Sequence, residues 1–360
     1  MAYTTINDPS AHHQTAIWTG NGVSGTAVVN DGNSNLQPDW LWGKIYDDNA
    51  DVTRNHWMID STRGLNKSLG TNTQSAEETN SGYLNSFDSD GFTLGNDGNS
   101  NDSGDLVVGW QWKANGGTTT TNDASSTGVG TIDSVIQANT TAGFSIVTHT
   151  GTGSAGNIAH GLGAVPHWII TRNRTDGSTD WAIYHAHVGN AYYLELNTTD
   201  GRETASSVWG DTTPSSTTFR VGGANTKNNA TGKEYISYCF APVQGYSKFG
   251  GYKGNATASG PFVYLGFKPA WLMIKVFNGN TGGWDMYDNT RTPFNSEVPS
   301  MLQANANAEH AQSDQVDFLS NGFKIRNTTG NQNGSNNDHV YMAFAENPFV
   351  TSGGTPGTAR

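Results

Sequence analysis

The chain has 360 residues, 34% of them apolar and only 14% charged, with a formal charge of −12. Its aromatic content is 11%, including 11 Trp, and such rings bury enough apolar area to anchor cores, so the chain is expected to fold rather than remain disordered. Scattered Lys and Arg exclude a nucleic-acid surface, and a single cysteine, Cys239, excludes intrachain disulfides and a Cys-based zinc site.

Met1 to Gln14 shows no basic segment followed by an apolar one and does not read as a secretory signal. It is expected to be an N-terminal arm, residues 1–14, too polar to fold alone. No apolar run approaches the roughly 20 residues that span a bilayer, so no membrane insertion is expected.

A recurring series of landmarks begins at residue 15. A strand-like run, Ile17-Trp18-Thr19, ends in the glycine turn Gly20-Asn21-Gly22. Pro38-Asp39-Trp40-Leu41-Trp42 opens an apolar run, Trp57-Met58-Ile59 follows, and Phe87-Asp88-Ser89-Asp90-Gly91-Phe92 marks a tight turn. Val107-Val108-Gly109-Trp110-Gln111-Trp112 closes the unit. The series returns with Pro166-His167-Trp168, Trp181-Ala182-Ile183, a looser Phe219 step and Tyr235 to Phe240. It returns again with Pro269-Ala270-Trp271, Trp284-Asp285-Met286, Phe318 to Phe323 and His339 to Phe344.

Pro38 and Pro166 lie 128 residues apart, and Pro166 and Pro269 lie 103 apart. The closing residues Trp112, Phe240 and Phe344 repeat this spacing at 128 and 104, so the register is set twice over. The excess in the first interval falls on a Gly/Thr/Ser/Asn tract that reads as a linker or long loop, residues 114–142. Short β-branched and aromatic runs between turn clusters predict an all-β fold of three tandem β-sandwich, jelly-roll-like repeats of about 100 residues. Their bounds are 15–113 (the divergent copy), 143–244 and 245–349, followed by a flexible tail, 350–360. Met301 to Gln312 is the one stretch predicted as a helical turn or two. The expected core anchors are Trp40, Trp57, Trp168, Trp181, Trp271, Trp284, Phe92, Phe219 and Phe323.

Several motifs invite a chemical reading. Gly20-x-Gly22-x-x-Gly25 and Gly151-x-Gly153-x-x-Gly156 match the dinucleotide fingerprint, but neither precedes a helix, and a hairpin turn explains them better. Asp31-Gly32-Asn33-Ser34-Asn35 and Asp97-Gly98-Asn99-Ser100-Asn101 could offer oxygens to calcium. They lack the sixth-position Gly and twelfth-position Glu of a calcium loop, and polar turns are the simpler reading. On a strand, His185 and His187 would share a face and could ligate a metal; surface or interface histidines are the alternative. Asp60 with Arg63 and Asp288 with Arg291 recur at one position, the mark of a turn-fixing ion pair. Trp18 or Trp209, near polar turns, could be sugar platforms. No nucleophile elbow or metalloprotease motif occurs, so no catalytic residue, cofactor or metal is assigned.

The Pro-x-Trp runs and the Phe-x-Ser-Asx-Gly-Phe step carry a resemblance, together with Gly245-Tyr246-Ser247-Lys248-Phe249-Gly250 and Tyr341 to Phe349. The chain resembles a repeat domain of structural proteins of tailed bacteriophages from marine bacteria. The likeness is strongest over 143–349 and weaker in the first unit, where the Trp-to-Trp gap is longer. It implies a non-enzymatic virion protein, made in the host cytoplasm and released by lysis: a tail-fibre or tail-tip component contacting the host surface or, alternatively, a capsid decoration protein. A polysaccharide-degrading enzyme is a third reading. The partners expected are other virion proteins, reached through residues 1–14, host-surface carbohydrate, and further copies of the chain in a homo-oligomer, taken as a trimer.

Overall fold

The computed structural model describes residues 2–48, 53–204, 206–293, 295, 300–312 and 316–357. It is all-β, with antiparallel pairing between its strands. The first unit's main sheet runs in the order His13–Thr19, Leu106–Trp112, Trp40–Asp47, Trp57–Asp60. That order is opening strand, closing strand, Pro-x-Trp strand, return strand. It recurs as Phe144–Thr150, Glu234–Phe240, Trp168–Asn173, Ala182–His185, and again as Ser247–Lys253, Asp338–Pro348, Phe267–Asn278, Trp284–Asp288. The closing strand pairs on both sides in each unit, which is why these segments read as continuous apolar runs.

A smaller sheet covers the outer face of each main sheet: Thr26–Val28 with Gly91–Leu94 and Leu84–Asp88, then Gly156–Ala159 with Thr218–Val221, then Phe262–Tyr264 with Gly322–Ile325 and Val316–Leu319. Phe92, Phe219 and Phe323 point into these outer cores and are fully buried. Each unit is therefore a two-layer β-sandwich.

The inner faces do something a row of independent repeats would not. Trp40, Trp42, Trp110 and Trp112 of the first unit join Phe144, Trp168, Trp181, Tyr238 and Phe240 of the second in one core. Trp271, Trp284, Met342 and Phe344 of the third complete it. The three sheets close around this shared core, and every pair of units is in contact: Trp40 stacks on Tyr238 at 4.4 Å, Trp168 lies edge-on to Trp284 at 5.9 Å, and Trp112 lies edge-on to Trp271 at 5.6 Å. Strands buried on both faces need a neighbour on each side, and three such faces meeting satisfy one another. An indole burying about 150–250 Å2 contributes roughly 4–6 kcal/mol at about 25 cal/mol per Å2, before conformational entropy is charged. Ten of the 11 Trp are fully buried here.

Four expectations change. Residues 114–142 are no simple linker: Thr120–Asn122 and Ser134–Asn139 extend the second unit's sheet, the latter paired with Phe144–Thr150. Met301 to Gln312 is not helical. It forms strands Ser300–Gln303 and Ala311–Gln312 joined by a turn, because the edge of Trp284–Asp288 offers a ladder that an isolated Ala/Asn run lacks. The arm at 1–14 is ordered on its own chain, with Ile6 in the shared core, Tyr3 Oη donating to Gly266 O at 2.8 Å and Asn7 bonded to Ser352. Of the tail read as flexible, 350–357 forms a turn closed by the Val350 and Pro356 bridge; 358–360 lie outside the described residues.

Candidate functional site

The strand register places residues of the three units in equivalent positions. Trp40, Trp168 and Trp271 pair across the ladder with Asp60, His185 and Asp288, and Met58, Ile183 and Met286 stand two positions before these partners. The residue two before each of those is His56, Trp181 or Trp284. The sequence landmark Trp57 is thus one position out of step with its supposed counterparts. It faces the first unit's own outer core, while His56 takes the inner place of the other two indoles.

These three rings make the same bond, each into the preceding unit around the ring. Trp181 Nε1 donates to Gly70 O at 3.0 Å, Trp284 Nε1 to Glu195 O at 2.8 Å, and His56 Nε2 lies 3.1 Å from Gln303 O. Trp42 Nε1 donates to His56 Nδ1 at 3.0 Å, which leaves the proton on Nε2 and fixes the tautomer. Burial holds this imidazole well below the ordinary histidine range, with Lys44 working in the same direction.

A second ring lies beside the first. Lys44, Arg172 and Lys275 each stand four residues after the Pro-x-Trp tryptophan, are buried, and extend into a neighbouring unit. Lys44 Nζ donates to Asn307 O at 3.2 Å, Arg172 Nη2 to Ser75 O at 2.6 Å, and Lys275 Nζ to Thr199 O at 2.9 Å. Backbone carbonyls cap all three cations. Burial pushes Lys44 and Lys275 down to about 8, against nearby carboxylates that act the other way. Sequence reading missed this ring, although a basic residue at one fixed offset in three copies was a signal available to it.

The Asp–Arg pairs fix their turns and also cross the seams. Asp60 accepts from the Thr62 and Arg63 amides and, at 2.8 Å, from Tyr238 Oη of the second unit. Asp288 holds Arg291 at 2.6 Å and accepts from Trp110 Nε1 of the first unit at 3.1 Å. Arg291 also lies over the Trp110 ring at 5.5 Å, a desolvated cation–π contact. In the second unit the equivalent place holds His185, and burial takes its imidazole down to about 3 despite the Tyr341 backbone.

The loops at the rim have their own repeated device. Asn101, Asn229 and Asn333 are completely buried, and each side chain clamps an incoming loop. Their Oδ1 atoms accept from the amides of Asn21, Thr152 and Asn255 at 3.0, 2.9 and 2.8 Å. Their Nδ2 atoms donate to Gly95 O, Gly222 O and Asn327 O at 2.8, 2.6 and 2.6 Å. The glycine fingerprints belong to these clamped corners. Gly22 and Gly153 have φ of 70° and 73° and carry the chain from the main sheet to the small sheet, so they are corners between sheets rather than hairpin turns.

The candidate metal sites separate. Among the described residues no group of three or more His, Cys, Asp or Glu is placed to hold a metal ion. His185 is buried and its Nδ1 accepts from the His187 amide, while His187 lies past the strand end and is exposed. Of the two acidic loops, Asp97 caps the single-turn helix Gly98–Asn101, and the Gly32 amide is bonded to Gln14. Trp209 is buried, which removes it as a sugar platform; half-buried Trp18 donates to Ser100 O and packs on Phe92. Cys239 is buried and desolvation pushes its thiol up.

Three sandwiches closed on one aromatic core, with cations and indoles bonded across every seam, define a β-scaffold protein whose repeats stabilise one another. The chain belongs to the family described as a domain of unknown function, DUF7483, whose model matches residues 8–348. No curated protein and no solved structure matches it.

Proposed function

We propose that the chain is a non-enzymatic structural protein of a bacteriophage virion, a tail-fibre or tail-tip component that contacts the host surface, with its three sandwiches read as jelly-roll-like modules. The observation that carries this reading is the pairing of a closed, mutually buried scaffold with loops pinned by Asn101, Asn229 and Asn333. Such a body presents polar loops on a rigid frame, the arrangement suited to recognition at a surface. The sequence resemblance to phage repeat domains supplies the virion context. The alternative, a head decoration protein, draws on the approximately threefold contact pattern, which fits a threefold position of a shell. Immunogold labelling of particles tests both: label at the tail supports the first, label over the head supports the second, and unlabelled particles overturn the virion reading.

A further inference from the structure

The equivalence of the three units breaks at one place, and the break leaves a cavity. Leu69, Leu194 and Leu302 pair with Met58, Ile183 and Met286, so Gly70 corresponds to Glu195 and Gln303, and Ser68 to Tyr193 and Met301. His56 corresponds to Trp181 and Trp284. At all three positions the first unit has the smaller side chain. In the second unit Glu195 is engaged by Lys227 at 2.7 Å, and in the third Gln303 Nε2 donates to Asp285 at 2.8 Å. In the first unit a cavity of about 260 Å3 opens instead, lined by His56, Trp57, Ser68, Gly70, Tyr83 and Glu78 among others.

Its walls are held in place. Trp57 Nε1 donates to Asn99 O at 2.9 Å, the Trp57 and Tyr83 rings lie 5.5 Å apart, and Asn99 Nδ2 reaches Tyr83 Oη at 3.2 Å. The remaining lining is neutral, hydrogen-bonding at Asn55, Thr73 and Ser75 and apolar at Leu69 and Ala76, with the exposed carboxylate of Glu78 and no Lys or Arg among the described lining residues. The lone carboxylate disfavours anions. The volume is below the roughly 300–1,000 Å3 of pockets for drug-sized ligands and suits a single ring. Buried Trp57 and Tyr83 form the floor, and amide, hydroxyl and carboxylate groups line the mouth, a donor and acceptor set that matches a neutral polyol.

We infer that this cavity binds one neutral pyranose ring of a glycan. The inference deepens the host-surface reading and rests on it only for where the glycan comes from. The test uses the purified full chain with the methyl glycosides of glucose, galactose, mannose and N-acetylglucosamine, followed by saturation-transfer NMR and calorimetry. Saturable binding of at least one probe is expected, weakened by about tenfold or more in Glu78→Ala and in Ser68→Tyr, the latter supplying the second unit's side chain. Glu78 is exposed, so its variant keeps the test valid should Ser68→Tyr fail to fold. No saturable binding of any probe, or binding undiminished in Glu78→Ala, overturns the site. Virion labelling is measured separately, so either reading can fail alone.

Discussion

His56 and Trp284 occupy the same strand position in different units and make the same bond, each giving a ring N–H to a carbonyl across a seam. Because an imidazole replaces an indole, this ring bond is the one of the three whose donor is titratable. Trp42 occupies Nδ1, so both ring nitrogens are used by the neutral form.

Buried neutral histidines predict loss of stability in acid. Desolvation takes His13, His149, His160 and His339 down to about 4 and His185 to about 3, from 6.5. These folded values lie below the unfolded one, so the stabilisation is complete above pH 6.5 and is lost as pH falls toward 4. A fall from 6.5 to about 4 corresponds to roughly 3 kcal/mol per group. The melting temperature should drop steeply between pH 6 and pH 4, and His149→Gln should make that drop shallower. An unchanged slope would count against this account.

The carbonyl-capped lysines extend the same trend into base. Lys44 and Lys275 titrate at about 8 when folded against 10.5 unfolded, so the unfolded state binds more protons between these values and stability rises with pH. Tyr184 and Tyr235, raised to about 12 by burial, reverse the trend above pH 10, where the unfolded chain ionises first. Thermal scans should therefore rise from pH 8 and peak near pH 10. In Lys44→Met/Lys275→Met the rise on the acid side of that peak should flatten.

Ring closure predicts that the units unfold together. Calorimetry of the intact chain should show one cooperative transition. Residues 114–244 expressed alone would expose Phe144, Trp168, Trp181, Tyr238 and Phe240 and should give no cooperative melt. Three separable transitions, or a soluble, cooperatively melting middle unit, would refute the shared core.

Two tryptophans of the second unit should respond differently to the same change. Trp181 bonds Gly70 O across the seam, and losing it leaves a buried carbonyl unpaired, so Trp181→Phe should cost about 1–3 kcal/mol for the bond alone. Trp168 Nε1 has no acceptor among the described residues, so Trp168→Phe removes a buried donor that gained nothing. Urea titrations should rank Trp181→Phe clearly below Trp168→Phe, and the reverse order would show that ring volume decides.

The repeat was legible because strand landmarks recur at fixed distances: Pro38, Pro166 and Pro269 open equivalent strands, and Trp112, Phe240 and Phe344 close them. Two readings failed for local reasons. Trp57 beside His56 drew the alignment one residue off, because indoles are conspicuous and side-chain direction alternates along a strand. Met301 to Gln312 suggested a helix because composition does not report a waiting sheet edge.

The sequence by itself determined the β class, the threefold use of one unit and the burial of the landmark rings from Trp40 to Phe323, since these depend on residue type and spacing along the chain. Only the tertiary structure decided that the units close on each other, that Lys44, Arg172 and Lys275 reach carbonyls across the seams, and that a cavity opens beside Trp57 and Ser68 in the first unit. The physical reason is that a strand such as Trp168–Asn173, buried on both faces, declares that it must be covered, while nothing in its own residues says which distant segment covers it.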